Sequence, residues 1–231
     1  MNKAILSKKD PQFAAKLQEY GYEIIPSETI PCNAPYERDH ADLQCLILHH
    51  TAFVLSRCKR LINALSADYQ VIPCGERFSG QYPDNTCLSA VPCGDKLIGR
   101  IASLDEKIKE YCRNNGLELI NVNQGYAKCS CVPIADNAVI TADKGIINTL
   151  RNTNINVLPI GKGSVRLEGA EYGFLGGASG YDRDNKTVYF CGDIKHHPDA
   201  DRIKGFCKTY GTNIISLSND QLTDIGGMIL C

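Results

Sequence analysis

A five-residue apolar pattern returns five times along the chain and limits the fold more than any single motif. The copies are YEIIP (22–26), YQVIP (69–73), LELIN (117–121), INVLP (155–159) and TNIIS (212–216). Three of them close on proline, which lacks the N–H that a ladder needs and so ends a strand. Helix signals precede these strands. DPQFAAKLQEYG carries Asp10 as a cap, Pro11 at the first helical position and Gly21 as a terminator. SLDEKIKEYCRNNG reads as a capping box of Ser103 and Glu106 closed by Gly116. HPDADRIKGFCKTYG starts at Pro198 and ends at Gly211, and RCKRLINAL and DKGIINTL are shorter versions.

A second apolar stretch follows each copy after a loop: DLQCLILHH (42–50), TCLSAVPC (86–93), AKCSCVPI (127–134), YGFLGGASG (172–180) and LTDIGGMILC (222–231). Third strands are expected at AFVLS (52–56), DKLIGRIA (95–102), NAVITA (137–142) and KTVYFCG (186–192). The fifth unit lacks one, and NKAILS (2–7) is left over to supply it. The repeat predicts an α/β fold, a pseudo-fivefold five-bladed α/β propeller of ββαβ-type units closed by the N-terminal strand. Residues 1–231 are read as one domain. Alternating strands and helices also fit a doubly wound parallel sheet, which is the competing expectation.

Bulk composition narrows function. The 25 basic and 26 acidic residues leave a net charge of −1, which offers no attraction to nucleic acid or an anionic membrane. No apolar run approaches the roughly 20 residues that span a bilayer, and MNKAILSKKDP lacks a signal peptide's apolar core. A cytoplasmic protein is expected. The 12 cysteines then read as thiols rather than disulfides, several filling positions of small hydrophobes, such as Cys45 and Cys112. Oligomeric state has no signature here.

The repeat plan and the closing GGMILC, with Gly226, Gly227 and Cys231, resemble the pentein superfamily and look like a clostridial branch of it. That superfamily holds arginine deiminases, dimethylarginine hydrolases, agmatine deiminases and amidinotransferases, and also the non-catalytic ribosome anti-association factor. The resemblance implies hydrolysis or transfer at a guanidine- or amidine-type C–N bond. A cysteine attacks the carbon, a histidine moves protons, and carboxylates hold a small cationic amino-acid-like ligand. No cofactor and no metal are implied. On this sequence the implied nucleophile is Cys231 and the acid/base is His40. Asp42, Asp84, Glu168 and Asp224, each in the loop before a second strand, are the substrate-binding carboxylates. The chain departs from the family in its middle repeat, where NQGYAKCSCVPI has no histidine. A non-catalytic interaction protein on the same fold is the alternative.

Other clusters have lesser readings. Cys129 and Cys131 in CSC are expected on one face of a strand. His49–His50 and His196–His197 are weak metal candidates. GFLGGASG (173–180) is expected where backbone must approach a crowded centre or a ligand. GKGSVR presents Lys162 and Arg166, which suit a carboxylate or phosphate.

Overall fold

The computed structural model describes residues 2–231. Each of the five units contributes one three-stranded sheet, and every sheet has the same plan: an inner strand antiparallel to a middle strand, which is parallel to an outer one. The inner strands are β3 (Cys45–Leu48), β6 (Ala90–Cys93), β9 (Cys131–Ala135), β12 (Ser179–Asp182) and β15 (Ile229–Leu230). Their middle partners are β4 (Thr51–Leu55), β7 (Lys96–Gly99), β10 (Ala138–Thr141), β13 (Thr187–Phe190) and β1 (Lys3–Leu6). The outer strands are β5 (Gln70–Cys74), β8 (Glu118–Asn121), β11 (Asn156–Pro159), β14 (Asn213–Ser216) and β2 (Glu23–Pro26). The recurring apolar pattern is this outer strand. AFVLS forms β4 as expected.

The left-over N-terminal strand takes the expected place. β1 lies between β15 and β2, with Ala4 opposite both Leu230 and Ile24. Chain start and chain end therefore share one sheet, and the ring closes. The parallel middle-to-outer crossings each need a helix to return the chain. Those helices are α1 (Pro11–Glu19), α2 (Lys59–Leu65), α3 (Glu106–Asn114), α5 (Lys144–Leu150) and α6 (Ala200–Thr209). Their apolar faces make the core between helix and sheet. Phe13 and Leu17 of α1 are buried beside Ala4 and Leu6, each worth about 1.5–3 kcal/mol relative to exposure. Tyr22 donates to Asp182, tying the first sheet to the β12 sheet.

Two local expectations need correction. Ser103 and Glu106 do not form a capping box. Asp105 caps α3 by accepting from the Lys107 N–H at 3.0 Å, because its shorter side chain already sits at the helix entrance. AKCS is not strand: α4 (Ala127–Ser130) is one helical turn, and β9 starts at Cys131. Cys129 and Cys131 are thus not paired on a strand face.

Candidate functional site

Each inner strand is entered by a tight turn, and the turns share a register. The residue five positions before the inner strand is His40, Asn85, Tyr126, Phe174 and Asp224 in the five units. Three-residue 3₁₀ turns at 41–43 and 84–86 and the single turn of α4 set these approaches. The ring symmetry therefore aims five unlike side chains at one end of the axis.

Three polar groups meet there. One ligand atom each of His40, Cys129 and Asp224 lies within 4.8 Å of the others, and all three residues are buried. Asp42 joins them, accepting from the Cys129 thiol at 2.6 Å. Asp224 is fixed by backbone. Its Oδ2 accepts from Phe174 N–H at 2.8 Å and its Oδ1 from Gly226 N–H at 2.9 Å. His40 Nε2 and Asp42 Oδ1 are buried without a hydrogen-bond partner among the described residues.

Glycine makes this approach possible, as expected for GFLGGASG. A Cβ at Gly177 would lie 2.5 Å from Asp224 Oδ2, and one at Gly226 would lie 2.3 Å from the His40 side chain. Gly226 also holds φ at +79°, a conformation side-chain-bearing residues avoid. So GG of the final segment serves the site directly, through the space it leaves for His40.

Burial dominates the electrostatics. It pushes the Asp42 carboxyl up to about 6, although the His40 charge and the Cys129 hydrogen bond pull the other way. It also pushes the Cys129 thiol well above its ordinary range, reinforced by the charges of Asp42 and Asp224. The site thus holds a carboxylate that takes a proton near neutrality, beside a thiol that gives one up only when a cation is present. The same S, N and O donors match the chemistry of a tetrahedral Zn²⁺-type centre, with the two backbone N–H groups orienting Asp224.

A cleft of about 660 Å³ opens over this cluster. Its floor includes His40 and Asp224, and its walls carry Asp10, Glu168, Lys9 and Arg166. Both charge signs are present, in separate groups. Lys9 is committed to Asp39 at 3.2 Å, whereas Arg166 makes no ion pair among the described residues.

The six expected site residues therefore divide. His40, Asp42 and Asp224 come together, and Glu168 is exposed on the cleft wall above them. Asp84 is elsewhere. It is exposed, accepts from the Ser79 hydroxyl at 3.0 Å, and lines a different depression with Phe78 and Asp105. The residue in register with His40 in that unit is Asn85, so Asp84 is one position out of phase. Cys231 is also elsewhere. It extends the β15–β1 ladder, giving its N–H to Lys3 O at 2.9 Å. Its neighbours are Tyr69, Lys3 and Asp68, and burial raises its thiol. The thiol beside His40 is Cys129, which motif reading passed over. Its signal was position: it lies in the turn before β9, as Asp42 lies in the turn before β3.

Five three-stranded sheets in a closed ring, with polar turns gathered at one end, define the pentein fold, and solved structures agree. The dimethylarginine dimethylaminohydrolase of Pseudomonas aeruginosa complexed with citrulline, a cysteine-to-serine mutant, superposes with a TM-score of 0.59 at 11% identity over 94% of this chain and 91% of that one. Agmatine deiminase of C. jejuni gives 0.53 at 10% over 94% and 87%. Inosamine-phosphate amidinotransferase of Streptomyces griseus gives 0.51 at 12% over 93% and 75%. At such identities the likeness is one of fold. No curated protein matches the chain significantly. The chain belongs to the family described as "Family of unknown function (DUF6873)", whose model matches residues 5–229.

Proposed function

We propose that the protein acts on, or binds, a guanidine- or amidine-type compound with an amino-acid-like carboxylate, at the cleft above His40. One observation carries this reading: Asp42 is a fully buried carboxylate with an unpartnered oxygen, set against a thiol and a histidine. A buried anion without a counter-charge is costly, and a planar cation with N–H donors is the partner that relieves it. Arg166 on the cleft wall suits the ligand's carboxylate, and Glu168 its ammonium. The neighbours of this fold point the same way: one was crystallised with citrulline.

The chemistry this arrangement suits is C–N hydrolysis or transfer. The Cys129 thiol proton passes to Asp42, and sulfur bonds to the amidine carbon. The C–N bond then breaks, and the leaving nitrogen takes a proton from His40. Water or an acceptor amine next displaces the thiol, and the proton on Asp42 returns to sulfur. Here Cys129 takes the role that the motif gave to Cys231, supported by its contact with Asp42 and its place beside His40. Twelve free thiols suit a cytoplasmic, reducing setting, and among the described residues no helix is long and apolar enough to cross a membrane.

Cys129 is 2% exposed and lies one layer below the cleft floor, so the ligand head must insert beside His40. This burial favours a second reading, a pentein-fold protein that binds without chemistry. A panel of arginine, methylarginines, agmatine and citrulline separates the two. We expect binding that falls at least tenfold in Asp42→Asn and Asp224→Asn, from loss of a charge-assisted contact. Intact-mass detection of an adduct that disappears in Cys129→Ser selects the enzyme. Binding untouched by either carboxylate change removes the site altogether.

A further inference from the structure

The ring axis has a second opening, at the far end of the inner strands from His40. A cavity of about 170 Å³ lies there, walled by Leu46 and Leu48 of β3, Pro133 of β9, Tyr181 of β12 and Leu230 of β15. At roughly 30 Å³ per water this is room for five or six heavy atoms' worth of guest. The walls are inner-strand side chains pointing at the axis, so the space follows from the ring itself. β3 packs less closely against β6 than the other inner strands pack against their neighbours, and the cavity occupies that seam.

One charged group reaches this apolar space from within. Lys128 lines the cavity, and its ammonium makes no hydrogen bond and no ion pair among the described residues. Its register position, three before the inner strand, is held by Asp42, Cys87, Gly176 and Gly226 in the other units. The glycines leave space at that level: a Cβ on Gly227 would stand 3.4 Å from Lys128 Nζ. The other cations of the lining are engaged. Lys96 pairs with Asp95 at 2.6 Å and Glu118 at 3.5 Å, and Arg183 with Asp136 at 3.3 Å. A half-buried ammonium without an anion, at the end of an apolar pocket, is a specific electrostatic deficit.

We propose that this lumen is a binding site for a small organic carboxylate with an apolar tail, its carboxylate on Lys128 and its tail among Leu46, Leu48 and Leu230. It is separate from the cleft above His40 and does not depend on the reading of that cleft. The occupant is one molecule carrying both features. Hydrophobicity alone leaves Lys128 unpaired, and an inorganic anion leaves the walls wet.

The test uses the full chain and isothermal titration calorimetry with hexanoate, hexanamide, butyrate and inorganic phosphate. Hexanoate is expected to bind about tenfold or more tightly than hexanamide, from one charge-assisted contact. It should also bind more tightly than butyrate, from the added buried CH₂ groups. Phosphate should not compete. Lys128→Gln should remove the preference for hexanoate over hexanamide, and Lys128→Arg should keep it, with circular dichroism confirming that both fold. Equal binding of hexanoate and hexanamide, or a preference that survives Lys128→Gln, overturns the proposal. Phosphate displacing hexanoate one for one would reduce the site to a surface charge effect and overturn it as well.

Discussion

The replacement of Asp42 by asparagine isolates the electrostatics of the site. In the folded protein burial holds the Asp42 carboxyl at about 6 against an ordinary value of 3.8. A folded pKa above the unfolded one means that the native state holds the proton more tightly. The contribution is fully present below about pH 3.8 and is lost as pH rises through about 6. Above that, the native state contains a buried carboxylate, and the difference of about two pH units at 1.36 kcal/mol each amounts to about 3 kcal/mol. Asparagine keeps the shape, and its carbonyl still accepts from the Cys129 thiol. The stability of Asp42→Asn relative to wild type is therefore expected to rise by about 3 kcal/mol between pH 4 and pH 8. Urea denaturation at each pH unit measures it, and the difference between proteins cancels groups that titrate alike in both. His40 titrates in the same window and opposes the shift, so the curves are repeated in a His40→Asn background, where the rise should be larger. A difference that stays flat from pH 4 to pH 8, or one that moves in favour of wild type with rising pH, refutes the reasoning. The second outcome is the sign of a carboxylate stabilised by its surroundings.

Four further outcomes can be checked with the same protein. Gly226→Ala should destabilise by about 2–5 kcal/mol, from left-handed backbone plus overpacking onto His40. Gly116→Ala, also at positive φ but facing open space, should cost only about 1–2 kcal/mol, and urea midpoints that coincide would remove the claimed contact. In native alkylation read by peptide mass spectrometry, exposed Cys32 should label first and Cys129, Cys131 and Cys191 last, because burial pushes those thiols up; fastest labelling at Cys231 would return the nucleophile to the end of the chain. Tyr22→Phe should cost roughly 1.5–3 kcal/mol by removing a hydrogen bond to a charged group, and a cost below about 0.5 kcal/mol would show that this contact contributes little to ring closure. Asp84→Ala should leave stability within about 0.5 kcal/mol and ligand binding unchanged in calorimetry; a clear loss of binding would bring Asp84 back into the site.

The ring was legible because its signal repeats. One EIIP-like strand says little, whereas five of them, with an unassigned N-terminal strand, predict closure. The outer strands carry this pattern since their outward residues are exposed and one central isoleucine is buried, as in β2 and β8. His40, Asp42 and Asp224 were legible as loop carboxylates and a histidine before apolar stretches. The rest of the site was not, for a physical reason. The turns entering the inner strands are three or four residues long, too short for a periodic apolar face. Cys129 therefore merged with β9 and was read as strand. Asp84 was chosen over Asn85 by charge, although the phase of the turn decides which side chain faces the axis. Cys231 was chosen because GGMILC looked like a motif, when its glycines in fact make room for His40 and its cysteine belongs to the ladder with β1.

That phase has a wider consequence. In a ring of like units, the residue a fixed number of positions before each inner strand points at the same place from five directions. Histidine from the first unit, cysteine from the third and aspartate from the fifth meet here within 4.8 Å, although no two of them are neighbours in sequence. Motif order along the chain is then a poor guide to chemistry, since any unit can supply any member of the set without changing the fold. The family resemblance placed histidine in the middle repeat and cysteine in the last. This chain has cysteine in the middle repeat and aspartate in the last, and it still gathers thiol, imidazole and carboxylate at the axis. The constraint lies elsewhere, in the small residues that admit such a gathering. Gly173, Gly177 and Gly226 occupy turns where any Cβ would strike Asp224 or His40. Those glycines mark which units give up side chains so that the others can meet.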